Sequence, residues 1–111
     1  KAKEGPGKIF LVTDAMSTIG TDMTSFTLNG RVINRSNGML TLENGGLAGA
    51  DIDMISTVKN MIKIVGFEEA IRMASLYPAQ AIGCDDKMGH LKTGALANNT
   101  TTNQTHIINT C

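Results

Sequence analysis

Residues Lys8-Ile9-Phe10-Leu11-Val12-Thr13-Asp14-Ala15 constrain the fold of this chain more than any other stretch. Four apolar residues in succession run into a threonine and then a carboxylate, with no polar alternation to mark a solvated face. A continuous run of this kind reads as a strand buried on both sides, the pattern of a parallel sheet. In barrel and doubly wound folds the reactive groups sit where such strands end, at the carboxyl edge of the sheet, and Asp14 occupies that place. An aspartate there is either a loop or helix cap or a catalytic carboxylate, and the residues by themselves leave both open. The stretch lies close to the first residue, so the sheet it belongs to is expected to be supplied by other segments.

Composition narrows the functional classes. The chain has 111 residues with 10 basic and 10 acidic side chains, enough for one small domain and without a basic stripe. A neutral chain that also lacks tryptophan is a poor match to nucleic acid, which asks for basic patches and stacking aromatics. No apolar run is long enough to span a bilayer. The start, Lys1 to Gly7, is charged and glycine-rich and has no signal-peptide core. Cys84 and Cys111 form no disulfide framework, and free thiols beside seven methionines fit a reducing cytoplasm. His90 and His106 with the two cysteines match no compact zinc spacing. Gly45, Gly46 and Gly49 lack the Lys-Ser/Thr of a nucleotide-binding loop.

After Asp14 a small-residue loop leads to a change of period. Phe26 and Leu28 alternate with Thr27, and Asn29-Gly30 is a strong hairpin signal because a type I′ turn needs positive φ at both central residues. Arg31 to Asn34 forms the return strand, Asn37-Gly38 marks a second turn, and Met39 to Leu42 a third strand. Glu43 to Gly49 reads as a flexible loop. The next segment has Ile55, Val58, Ile62 and Val65 at helical spacing, widened by Met54 and Met61, with Asp51 and Asp53 set for the first turn and Gly66 for the end. A second helix is expected from Phe67 to Tyr77, with Ile71, Ala74 and Met73 on its buried face, and Pro78 is expected to open a third that closes at Gly83. The methionines read as core packing. Asn98 to Thr105 is polar and lacks the alternation of a buried strand.

Several of these stretches, taken in order, resemble one family. Leu11-Val12-Thr13-Asp14-Ala15, the hairpin after it, Leu47-Ala48-Gly49 and Arg72-Met73-Ala74-Ser75-Leu76-Tyr77-Pro78-Ala79 are similar to the carboxyl-terminal part of the N-acetylglucosamine-6-phosphate deacetylases, members of the metal-dependent amidohydrolase superfamily. Pro78 to Gly83 and Gly89 to Gly94 match runs found across that superfamily. The resemblance implies an α/β fold: the carboxyl-terminal part of a (β/α)₈ barrel, with Lys8 to Thr13 as its last strand, a β-hairpin insertion and outer helices, plus strands of a small β-sandwich. Residues 1–88 would belong to the catalytic barrel and residues 89–111 would return to the sandwich.

The resemblance also implies chemistry. The family hydrolyses the acetamide of N-acetylglucosamine 6-phosphate to glucosamine 6-phosphate and acetate, using a divalent metal ion such as zinc or iron. Asp14 would be the catalytic aspartate that takes a proton from water and later protonates the leaving amine. Leu47, Ala48 and Gly49 would contact substrate, and at Gly49 the absence of a side chain eases a close backbone approach. The family's metal ligands lie in upstream strands, so no residue of this chain is expected to bind the metal and the isolated segment is expected to be inactive. The partner would be a small amino-sugar phosphate, with no nucleic acid and no membrane, in a cytoplasmic homodimer. The alternatives are a non-catalytic folded remnant or interaction fragment, and a related amidohydrolase acting on another amide.

Overall fold

The computed structural model describes residues 7–98, 100–102 and 107–110; the expectations for residues 1–6, His106 and Cys111 lie outside them. Contacts divide the chain into two compact units, Thr13–Asp53 and the combination of Lys1–Val12 with Met54–Cys111.

The Thr13–Asp53 unit is a four-stranded antiparallel meander. Strands β1 (Ser25–Leu28), β2 (Arg31–Ser36), β3 (Met39–Leu42) and β4 (Leu47–Ala50) lie side by side in chain order. Two-residue turns join the first three. Asn29 and Asn37 have φ of 51° and Gly30 and Gly38 have φ of 74°. Left-handed geometry at both central positions is what lets a tight turn follow the right-handed twist of its strands. The register follows from the turns, with Leu28 opposite Arg31 and Ser36 opposite Met39. Alternation then puts Ile33, Arg35 and Leu40 on one face, where Ile33 and Leu40 are buried.

The fourth strand is a correction. Glu43 to Gly49 reads as a flexible loop, yet Leu47–Ala50 pairs with β3. Leu-Ala-Gly-Ala carries no β-branched or aromatic residue to announce a strand. Its pairing is imposed from outside: the Leu42 N–H donates to the Gly46 carbonyl at 2.8 Å and the Gly45 N–H to the Leu42 carbonyl at 2.9 Å, which turns the chain back along β3.

In the other unit, helix α1 spans Met54–Val65, α2 Phe67–Ala74 and α3 Leu76–Ala81. Gly66, at φ 84°, ends α1 and precedes α2, and its N–H donates to the Ile62 carbonyl at 3.0 Å. The second helix stops three residues before the expected Tyr77. Ser75 departs from helical geometry at φ −131° and ψ −70°, and Pro78 falls at the third position of α3 rather than the first. That position is still in the first turn, where a missing N–H costs no intrahelical bond. Val58, Ala70 and Met73 are buried together with Leu11, and Ile62, Val65 and Tyr77 pack around them. Met73 and Met61 are core residues as expected, whereas Met54 is exposed.

Lys8 to Thr13 differs from its expected form. No strand pairs with it among the described residues, and a ladder is what defines a strand. Leu11 is buried and donates its N–H to the Met73 carbonyl at 2.9 Å, but Phe10 is 43% and Val12 68% exposed. A strand buried on both faces needs a neighbouring strand on each side, and this run has neither among the described residues. Near the end of the chain, β5 (Thr100–Thr102) pairs antiparallel with β6 (Ile107–Thr110), so part of the polar run does form a strand.

Candidate active site

The site is built from the first turn after the apolar run and from β4. Asp14 has φ 51°, in the left-handed region that a non-glycine residue seldom adopts. Its flanks fix it there. The Ala15 N–H reaches the Thr13 hydroxyl at 3.3 Å, the Asp14 carbonyl accepts from the Ala50 N–H at 3.3 Å, and Ala15 bridges Ala50 in parallel. A strained backbone held by its surroundings is characteristic of functional positions. The Asp14 side chain remains exposed.

Strand β4 is bulged. Leu40 opposes Gly49 while the next residue, Thr41, opposes Leu47, which leaves Ala48 as the extra residue. Bulges re-aim side chains and recur beside active sites. Here the bulge lies in the wall of an open cavity of about 460 Å³ lined by Asp14, Leu47, Ala48, Gly49 and Ala50, with Gly38 and Met39. The structure therefore brings the four sequence-nominated residues, Asp14, Leu47, Ala48 and Gly49, to one cavity. Gly49 lies against Met16: an added Cβ would lie 2.5 Å from Sδ and 3.0 Å from Cγ. Leu47 and Ala48 also border a second depression, of about 490 Å³, together with Arg31 and Asn29.

Behind the cavity is a polar cluster that sequence reasoning missed. Asp51 is not a helix cap: its side chain is 5% exposed and is paired with Arg35, whose Nε donates to Oδ2 at 2.6 Å. The fully buried Thr18 donates its hydroxyl to Oδ1 at 3.0 Å. One signal was available, since period two puts Arg35 on the same face as Ile33, and a cation on an apolar face needs a buried partner. Asp53 directly precedes α1, in the capping position.

A metal centre is not formed by these residues alone. Among the described residues no three His, Cys, Asp or Glu side chains come together, and Asp14 is the one carboxylate lining the cavity. A single carboxylate does not make a divalent-cation site. His90 is turned to other use, with Nε2 2.6 Å from the Asp85 carbonyl oxygen.

The chain belongs to the amidohydrolase family, whose model matches residues 7–109. More particularly, it is similar to amino-sugar-phosphate deacetylases. It is 40% identical to the N-acetylglucosamine-6-phosphate deacetylase of Haemophilus influenzae, over 82% of this chain and 25% of that protein. It is 39% identical to the N-acetylgalactosamine-6-phosphate deacetylase of Escherichia coli O157:H7, over 81% of this chain and 24% of that protein. A crystal structure of N-acetylglucosamine-6-phosphate deacetylase from Pasteurella multocida superposes with a TM-score of 0.86 at 40% identity, over 92% of this chain and 28% of that one. The chain thus spans about a quarter of the length of these relatives.

Proposed function

We propose that this chain supplies part of an enzyme that hydrolyses the acetamide of N-acetylglucosamine 6-phosphate, releasing glucosamine 6-phosphate and acetate. The observation that carries the reading is the gathering of Asp14 with Leu47, Ala48 and Gly49 around one cavity. In this role the Asp14 carboxylate takes a proton from the water that attacks the acetamide carbonyl, then gives it to the amine nitrogen as the C–N bond breaks. A carboxylate suits both steps because it can accept the proton and return it within one hydrogen-bond distance. The backbone of Leu47 to Gly49 flanks the sugar. The family is generally metal-dependent, and the ligands of the divalent ion belong to segments outside this chain. The same reading makes residues 1–88 barrel and 89–111 sandwich, and the complete protein a cytoplasmic homodimer; among the described residues no helix is long and apolar enough to cross a membrane.

The test is an assay of the full-length protein that carries this chain. Asp14→Asn is expected to lower kcat by about 10²–10⁴-fold, the usual worth of a positioned acid–base group. A near-normal kcat for that variant would sink the assignment. The deacetylase similarity at 39% identity supports a second reading, in which the sugar is the galactosamine epimer. Comparing kcat/KM for the two sugar phosphates decides between them, and hydrolysis of neither leaves an amidohydrolase acting on another amide or a non-catalytic role.

A further inference from the structure

We propose that Arg35 is a positioning residue for Asp14, acting through the buried carboxylate of Asp51; the inference rests on the deacetylase reading above. The contacts form a short chain from one residue to the other. Asp51 directly follows Ala50, and Ala50 is the residue whose N–H holds the Asp14 carbonyl at 3.3 Å and whose backbone bridges Ala15. Both oxygens of Asp51 are taken, by Arg35 Nε at 2.6 Å and by the Thr18 hydroxyl at 3.0 Å. Thr18 is itself four residues beyond Asp14, in the loop that leaves the site. Arg35 grips that loop farther on: Nη1 donates to the Thr21 carbonyl at 2.7 Å and to the Met23 carbonyl at 3.5 Å, and its backbone N–H donates to the Thr24 carbonyl at 2.8 Å. One arginine therefore ties the end of β4 and the whole Ala15 to Thr24 loop to the centre of the sheet.

This arrangement answers a question posed by Asp14 itself. Asp14 shares its φ of 51° with Asn29 and Asn37, but it lies outside a hairpin turn, so its geometry rests on its own contacts. Ala50 holds Asp14 through its N–H, Thr18 lies in the turn that follows Asp14, and Asp51 adjoins the first and bonds to the second. Arginine is required because its fork reaches a carboxylate with Nε and carbonyls with Nη1 at once, which a lysine ammonium cannot do.

The test is made on the full-length protein with N-acetylglucosamine 6-phosphate as substrate, with amide hydrogen exchange as an independent readout. Arg35→Lys keeps the charge and loses the fork. It is expected to lower kcat by about 10–100-fold with KM held within about threefold, the scale set by misplacing a reacting group. The Ala50 amide is expected to exchange at least about tenfold faster in the same variant. An unchanged kcat, or a lowered kcat with unchanged Ala50 exchange, overturns the proposal. So does a kcat that returns to wild type at low temperature, where the folded population is complete, because that marks ordinary destabilisation. If Arg35→Lys does not fold, Thr18→Ser and Thr18→Val replace it: retention of kcat in the first and loss in the second support the proposal, and equal kcat in both overturns it. A wild-type protein inactive on both this substrate and its galactosamine epimer removes the deacetylase reading instead, and Ala50 exchange in Arg35→Lys then decides the positioning link alone.

Discussion

At Gly49 a hydrogen stands where any side chain would run into Met16. Gly49→Ala is therefore expected to lower stability by about 1–3 kcal/mol, as overpacking does, and to raise KM by moving the cavity wall. Adding Met16→Ala should recover part of the loss, with a coupling of about 1 kcal/mol in a double-mutant cycle read by denaturant titration; strict additivity would refute the contact. Arg72 provides a contrast. It is exposed, and its pKa is raised above the ordinary guanidinium value by hydrogen bonds to Glu68 and then Glu69. A raised pKa contributes stability below the unfolded value and loses it only as pH climbs through the folded one. The effect of Arg72→Ala on the melting temperature should hence be constant from about pH 6 to pH 9 and shrink with added salt. Legibility at this scale was divided. Asp14 and Leu47 to Gly49 could be nominated because they lie in stretches resembling a known family. Asp51 was misread because an aspartate before a helix suits a cap, while its actual partner, Arg35, is 16 residues away in sequence.

The elements separate positions where glycine is needed for its backbone from those where it is needed for space. Gly38, at φ 74°, has no atom within 4 Å of an added Cβ. Gly89, at φ 85°, would press a Cβ against Ala79 at 2.9 Å and against the backbone at Leu76 Cα and Ser75 O, both 3.0 Å. Backbone atoms of a helix cannot step aside. Gly38→Ala is expected to cost about 1 kcal/mol of strain and Gly89→Ala clearly more, since clash adds to strain. Equal thermal shifts in the two variants would contradict this account. The same distinction explains which elements could be read in advance. The Asn-Gly turns and the apolar stripe of α1 are local signals and match the observed β1–β2, β2–β3 and α1 boundaries closely. Strand β4 is not local, since it depends on pairing with β3. The break between α2 and α3 is announced by Pro78, which has no N–H for the Ala74 carbonyl, and only its exact place at Ser75 was not legible.

For the molecule as a whole, what matters is how much of the site one chain can hold. It spans about a quarter of the length of the Haemophilus influenzae and Escherichia coli O157:H7 deacetylases, and the described residues bring one carboxylate and no metal-ligand cluster to the cavity. The 111-residue chain by itself is expected to release no acetate from N-acetylglucosamine 6-phosphate, even with zinc or iron supplied. Measurable turnover by the isolated chain would show that the donor set is complete without other segments. The apolar run at Lys8 to Val12 was legible as strand-forming but not as unpaired, because hydropathy reports a preference for burial and says nothing of which segment provides it. The meander has a consequence in time. Each of its strands pairs with its neighbour in sequence through a short turn, and such hairpins close within microseconds. The Thr18–Asp51 bond instead closes a separation of 33 residues. Longer closures carry a larger entropy cost and form later. The sheet should accordingly assemble before the loop behind it locks, so Asp14 acquires its left-handed conformation in one of the last steps by which this unit becomes native.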